Sequence, residues 1–183
     1  GLCEVNTHEN GNITSTMSRK LLEEGNDVFI RFNQAISIFK KVASKKESSF
    51  MEMVSVRRPY GLSSTFSDFS KNNSHKWIKI YGNKTYGYLN EQFILPQNTD
   101  SVDKYKVFIS FGYGAGEGFP HQIINKPFIG EKHSCCTETY LQIGKFDEIQ
   151  TAENVVSYIR TKFFRFLVML KKNTQNGTRG VYQ

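Results

Sequence analysis

Between residues 152 and 172, Val156, Ile159, Phe163, Phe166, Leu167 and Leu170 recur at helical spacing, with Arg160, Lys162, Arg165, Lys171 and Lys172 mostly off that stripe. A helix that is apolar along one side must bury that side against a second layer. The residues before it supply such a layer, in a different period. His75-Lys-Trp-Ile-Lys-Ile-Tyr81 is rich in aromatic and β-branched side chains, Gly82-Asn83-Lys84 makes a turn, and Thr85-Tyr-Gly-Tyr-Leu89 returns. That pattern predicts a β-hairpin. Tyr105-Lys-Val-Phe-Ile-Ser110 and Thr137-Glu-Thr-Tyr-Leu-Gln-Ile143 predict two further strands. Upstream, Ile30, Phe32, Ala35, Ile36, Phe39 and Val42 predict a helix from Asp27, with Asn26 and Asp27 as caps and lysines at its C-terminal end. A short helical stretch over 48–55 follows, and Thr151 is expected to cap the long helix, with Glu153 in its first turn. The expected class is α+β: a mixed or antiparallel sheet with long loops, an N-terminal helix, and a long C-terminal helix packed on the sheet.

Residues 1–25 are polar, rich in Gly, Asn, Thr and Ser, and poorly periodic, so they read as a linker or arm before one domain over 26–183. The start, Gly1-Leu2-Cys3, and the strand-like end, Arg179-Gly-Val-Tyr-Gln183, read as those of a fragment of a larger protein. With 38% hydrophobic residues and 15 Phe the chain is too apolar for intrinsic disorder. It has no apolar run long enough to span a membrane. Cys3, Cys135 and Cys136 are odd in number, and the adjacent pair is poorly placed for a mutual bond. They read as free thiols in a reducing, cytoplasmic compartment. His133 lies near Cys135 and Cys136 but lacks further ligands at zinc spacing, so no metal is expected. Four Asn-x-Ser/Thr matches, at Asn12, Asn72, Asn83 and Asn176, read as chance in such a compartment.

Catalysis finds little support. Gly112, Gly114 and Gly116 follow a strand, as a nucleotide or S-adenosylmethionine pocket requires, but Pro120 and Pro127 interrupt the helix that should come next. A mobile loop at a binding surface fits this segment better. Asp100, Asp103, Glu117, Glu131, Glu138 and Asp147 are too scattered for a nuclease metal site. The basic balance, 24 Lys and Arg against 17 Asp and Glu for a net charge of +7, points to a polyanion. Lys and Arg neutralise phosphates, whereas Asn, Gln, Arg and His on loops read base edges. By residue type and loop position the candidate DNA contacts are Arg57, Arg58, Lys71, Asn73, His75, Lys76, Tyr113, His121, Lys132, His133, Lys172, Gln175 and Arg179.

Val54-Ser-Val-Arg-Arg-Pro-Tyr-Gly-Leu62, Tyr105-Lys-Val-Phe-Ile-Ser110, Cys136-Thr-Glu-Thr-Tyr-Leu141 and Ser157-Tyr-Ile-Arg-Thr-Lys-Phe-Phe-Arg-Phe-Leu-Val168 resemble the C-terminal region of bacterial restriction-modification adenine-specific DNA methylases. The resemblance runs from about residue 27 to the end, closing on Lys172-Asn-Thr-Gln175, and the Ser157 to Val168 string is its most specific part. It implies a target-recognition domain that finds a DNA sequence for a catalytic core. The core uses S-adenosylmethionine and acts on double-stranded DNA, and an endonuclease can belong to the same parent. That family's catalytic motif, Asn/Asp-Pro-Pro followed by Tyr/Phe, is missing, because no two of the four prolines, Pro59, Pro96, Pro120 and Pro127, are adjacent. The resemblance therefore implies the DNA reader without the chemistry: no enzyme and no cofactor in this chain, and the methyltransferase core of the parent as its partner. Residues 61–76 and 111–135 are the candidate reading loops. The alternative is a protein-docking domain without DNA contacts of its own, in which Phe164, Val168 and Met169 form the docking face.

Overall fold

The computed structural model describes residues 1–72, 77–90, 92–113 and 122–182. Eight strands fall into three small sheets and are followed by two C-terminal helices. The α+β class is borne out.

Within residues 1–25, expected as a poorly periodic linker or arm, β1 (Cys3–Glu9) and β2 (Asn12–Arg19) form a hairpin. Asn10 and Gly11 form its two-residue turn with φ of 50° and 81°, the left-handed pair that Asn-Gly supplies at low cost. Buried Asn33 pins the hairpin to the next segment. Its Nδ2 donates to the Val5 carbonyl (2.7 Å), its Oδ1 accepts from Arg19 Nε (2.9 Å), and its backbone N–H reaches Thr7 Oγ1 (3.1 Å).

The first helix begins later than its periodicity suggests. A 3-10 turn at Asn33–Ala35 leads into α1 (Ile36–Ala43), and Asn26 and Asp27 lie well before it. Asn26 Nδ2 donates to the Val28 carbonyl and Asp27 pairs with Lys171, so neither is a helix cap. The stretch after α1 holds only a 3-10 turn, Phe50–Met53, capped by Ser49.

The expected hairpin is present as β3 (Ile78–Gly82) and β4 (Thr85–Leu89), in antiparallel register. β5 (Tyr105–Ser110) matches its expected bounds, and β6 (Phe128–Gly130) pairs with it. The strand expected over 137–143 begins later, as β8 (Tyr140–Phe146), antiparallel to β5, and a separate short strand before it, β7 (Ser134–Cys136), runs parallel to β3. The sheets therefore run β4-β3-β7 and β6-β5-β8. Strand β5 is covered on both faces: Val107 and Ile109 join Leu141 and Ile143 against the C-terminal helices, while Phe108 joins Tyr60, Ile80 and Leu89. Alternate side chains of one strand thus feed two cores.

The long C-terminal helix is broken. Helix α2 (Ile149–Arg160) ends at Thr161, whose ψ of 149° is extended, and α3 (Lys162–Lys171) begins after it. The Thr161 hydroxyl donates to the Tyr158 carbonyl (2.7 Å) and accepts from the Phe164 N–H (3.1 Å), closing one helix and capping the next. Thr151 lies inside α2, and the N-cap position is held by Glu148. The break rotates the apolar face. Phe163 becomes 46% exposed, whereas Phe164 and Val168 are buried against the β5 sheet and Met169 packs on the α1 cluster. The expected docking face of Phe164, Val168 and Met169 is thus core. The chain ends in a 3-10 turn, Arg179–Tyr182, not the expected strand, with Tyr182 buried beside Phe164. No helix among the described residues is long and apolar enough to cross a membrane.

Candidate nucleic-acid interface

Arg57 and Arg58 precede a tight turn in which Gly61 N–H bonds the Arg58 carbonyl and Arg58 has a φ of 60°. Both guanidinium groups converge on one oxygen of Glu138, at 3.1 Å from Arg57 and 2.7 Å from Arg58, and Ser64 N–H occupies the other oxygen. Glu138 is 6% exposed. The Arg58 hydrogen bond, then the Ser64 N–H, hold its carboxyl down at about 2. With the folded value below the ordinary 4.5, this group stabilises the fold above that pH, and its contribution is lost as pH falls from about 4.5 to about 2. Removing the carboxylate in Glu138→Gln is expected to cost about 2 kcal/mol in urea unfolding at pH 7. The same variant should bind duplex DNA more tightly, because it frees two arginines.

Arg57 also lies over the Phe111 ring at 5.0 Å. Residues 111–113 continue β5 and pair with 175–177: Gly177 N–H donates to the Phe111 carbonyl (2.6 Å) and Tyr113 N–H to the Gln175 carbonyl (3.0 Å). Lys172 sits over the Tyr113 ring at 5.5 Å and donates to the Ile123 carbonyl at 2.6 Å. Five expected contacts, Arg57, Arg58, Tyr113, Lys172 and Gln175, therefore share one end of β5. Arg179 donates to the Met51 carbonyl (2.9 Å), tying the C-terminal turn to the Phe50–Met53 turn.

Lys71 belongs to a second patch. Pairing of β3 with β4 sets Lys79 opposite Tyr88 and Tyr81 opposite Tyr86, which puts all four on one face of the hairpin. Tyr86 is 54% exposed. Lys79 stands 5.3 Å from its ring and 5.0 Å from that of Tyr81, and Lys71 stands 6.0 Å from Tyr86 and donates to the Tyr86 carbonyl and to Thr85 Oγ1. The hydrogen bond with Tyr81 raises the Lys79 pKa above its ordinary value, so Lys79 stays charged. Lys79, Tyr81, Tyr86 and Tyr88 escaped the residue-type search, although their alternation along two strands placed them on one face.

Lys132 and His133 are not part of either patch. Lys132 lies over Tyr105, at the far end of β5 from Tyr113, roughly 26 Å away at strand rise. His133 has a φ of 55°, its Nδ1 is 3.2 Å from Asp103, and its backbone bonds Val102 and Lys79. It serves a turn. Asn73, His75, Lys76 and His121 lie outside the described residues, as do the glycines at 114, 116 and 118.

Cys135 and Cys136 are buried in β7, and burial pushes the Cys135 thiol up to about 12 and that of Cys136 upward as well. Neither is an activated nucleophile. Among the described residues no group of three His, Cys, Asp or Glu is placed to hold a metal ion. A third basic cluster, Lys126 with Arg160 and Arg165, surrounds a hollow at the α2–α3 junction. In the sequence these arginines are marked only by lying off the apolar stripe of a helix. Comparison with protein-family models, with curated proteins and with solved structures finds no match to this chain.

Proposed function

We propose that this chain is a sequence-specific DNA-binding module, the target-recognition part of a restriction-modification DNA methyltransferase whose S-adenosylmethionine and catalytic residues belong to the rest of the enzyme. One observation carries the DNA reading: at the β3–β4 hairpin, Lys71 and Lys79 both stand within 6.0 Å of the exposed Tyr86 ring, and among the described residues neither forms an ion pair. Lysines neutralise phosphates, and tyrosine hydroxyls donate to them. The Arg57, Tyr113, Lys172 and Gln175 patch adds polar and cationic donors beside a candidate reading loop. The methyltransferase setting rests on the resemblance of the Ser157 to Val168 string and its companions.

Fluorescence anisotropy on random duplex DNA tests this reading. Four phosphate contacts would lower affinity about 100-fold between 50 and 200 mM salt. Absence of binding at low micromolar protein in 50 mM salt would sink it.

The alternative, a docking domain of a larger modification enzyme, is favoured by one feature. An apolar groove of about 1120 Å³ lies between α1, the Phe50–Met53 turn and the C-terminal helices, lined by Ile38, Val42, Phe50, Met53 and Phe163. Lys41, Lys45 and Lys46 on its α1 side suit an acidic face of the enzyme's core. Failure of DNA binding would move the function to this groove.

A further inference from the structure

The hollow at the α2–α3 junction measures about 330 Å³ and is lined by Lys126, Arg160 and Arg165, with the amides of Gln122 and Asn125 and the buried Ile159 beneath them. Among the described residues no carboxylate lines it. Several of the fold's other cations are paired with acids: Arg57 and Arg58 with Glu138, Lys104 with Asp147, Lys145 with Asp100 and Lys171 with Asp27. Among the described residues, the side chains of Lys126, Arg160 and Arg165 have no hydrogen bond or ion pair. Three unneutralised cations around one concavity repel one another, and an anion between them removes that repulsion.

The chain geometry that gathers them is specific. In a continuous helix, Arg160 and Arg165 would point about 140° apart. The extended Thr161 between α2 and α3 breaks that relation and lets both line one hollow. We infer that this hollow binds one phosphate group, held by the Arg160 and Arg165 guanidiniums and the Lys126 ammonium. Guanidinium forks match phosphate oxygens two at a time, and lysine adds a point charge. The size is at the lower limit of small-ligand pockets and admits a phosphate with the sugar attached to it, but not a peptide helix. A backbone phosphodiester of a nucleic acid and the terminal phosphate of a nucleotide present the same chemistry here. The inference rests on the hollow alone and stands apart from the DNA reading.

The test compares the full chain with an Arg160→Gln, Arg165→Gln variant and with Lys126→Gln, each checked for an unchanged melting temperature. Surface-charge changes of this kind leave the core intact, so loss of fold does not confuse the result. Two probes are used: inorganic phosphate followed by ³¹P NMR in 20 mM NaCl, and random duplex DNA followed by anisotropy. Saturable phosphate binding that weakens at least 10-fold in the double variant, with DNA affinity unchanged, supports the site and identifies a phosphate monoester as its ligand. A fall of at least 10-fold in DNA affinity, with the salt slope reduced by about 0.9, supports it and identifies a backbone phosphate. A chain that binds phosphate at this site but binds no DNA leaves the inference standing while the DNA reading fails. Unchanged binding of both probes in all variants overturns the inference, as does acetate displacing phosphate at equal concentration.

Discussion

A Lys71→Gln, Lys79→Gln double variant is expected to bind duplex DNA roughly 100-fold more weakly at 50 mM salt than the parent chain. Each neutralised phosphate adds about 0.9 to the slope of log affinity against log salt, and 50 mM lies about 1.3 decades below 1 M, so two contacts are worth roughly two powers of ten. The slope itself should fall by about 1.8. Net charge alone would also weaken binding, and the control is a second double variant that removes the same charge elsewhere. Lys104 and Lys145 are tied to Asp147 and Asp100, so Lys104→Gln with Lys145→Gln should change affinity less than about threefold, their carboxylate partners already offsetting them. Equal losses in the two double variants would show that the β3–β4 face has no special part. Tyr86→Phe refines the result: it keeps the ring under the lysines and removes the hydroxyl, so a loss confined to this change reports a tyrosine–phosphate bond and not packing.

The strands that carry this face were legible because two independent signals agreed there. Alternating aromatic and β-branched residues on each side of Gly82-Asn83-Lys84 indicated both the strands and their turn. Strand β5 was equally plain from Tyr105 to Ser110. The N-terminal hairpin carried an equally good turn signal, Asn10-Gly11, but its strands are polar and their alternation is weak. Much of what holds it is the hydrogen bonding of Asn33 and Arg19, which no hydrophobic pattern reveals. The break at Thr161 was hidden for the opposite reason. The apolar period continues across it, and a threonine within a helical pattern is commonplace until its hydroxyl is seen to serve both helices. That one residue accounts for two misplacements, the burial of Phe164 and Val168 and the gathering of Arg160 with Arg165. For the site, residue type found the cations but not their partners. Glu138, 80 residues from Arg58, neutralises the most conspicuous basic pair, and only tertiary contact makes that visible.

Stability should hold nearly level from pH 8 to 9 and fall steeply above, and one residue should sustain that plateau. Lys106, in the middle of β5's buried run, is fully enclosed, and its ammonium donates to the Val102 and Ser134 carbonyls at 2.9 Å each. Burial lowers its pKa from 10.5 to about 8. Because the folded value lies below the unfolded one, the unfolded chain binds more protons between these limits, and the contribution of Lys106 to stability rises with pH across them. Cys135 and Cys136, whose ordinary value is 9.0, and Tyr60 and Tyr182, ordinarily 10.0, are all pushed upward by burial. They keep their protons when folded and lose them when unfolded, so stability falls once pH passes about 9. Lys106 gains about 1 kcal/mol from pH 8 to 9 while the two thiols and two tyrosines lose about 0.8 kcal/mol, so stability holds nearly level across that interval and declines steeply above it. Urea unfolding at pH 7, 8, 9 and 10 measures it. Lys106→Met keeps the side-chain length, removes the buried charge and leaves two carbonyls without this donor. Its stability at pH 7 should lie within about 1 kcal/mol of the parent, and from pH 8 to 9 it should lose about 0.8 kcal/mol where the parent holds level. Lys106→Ala adds a cavity to the lost hydrogen bonds and should cost about 3 kcal/mol at every pH below 8. A Met variant that holds level from pH 8 to 9 would assign the compensation to another group and leave Lys106 as an ordinary lysine whose carbonyl bonds offset its burial.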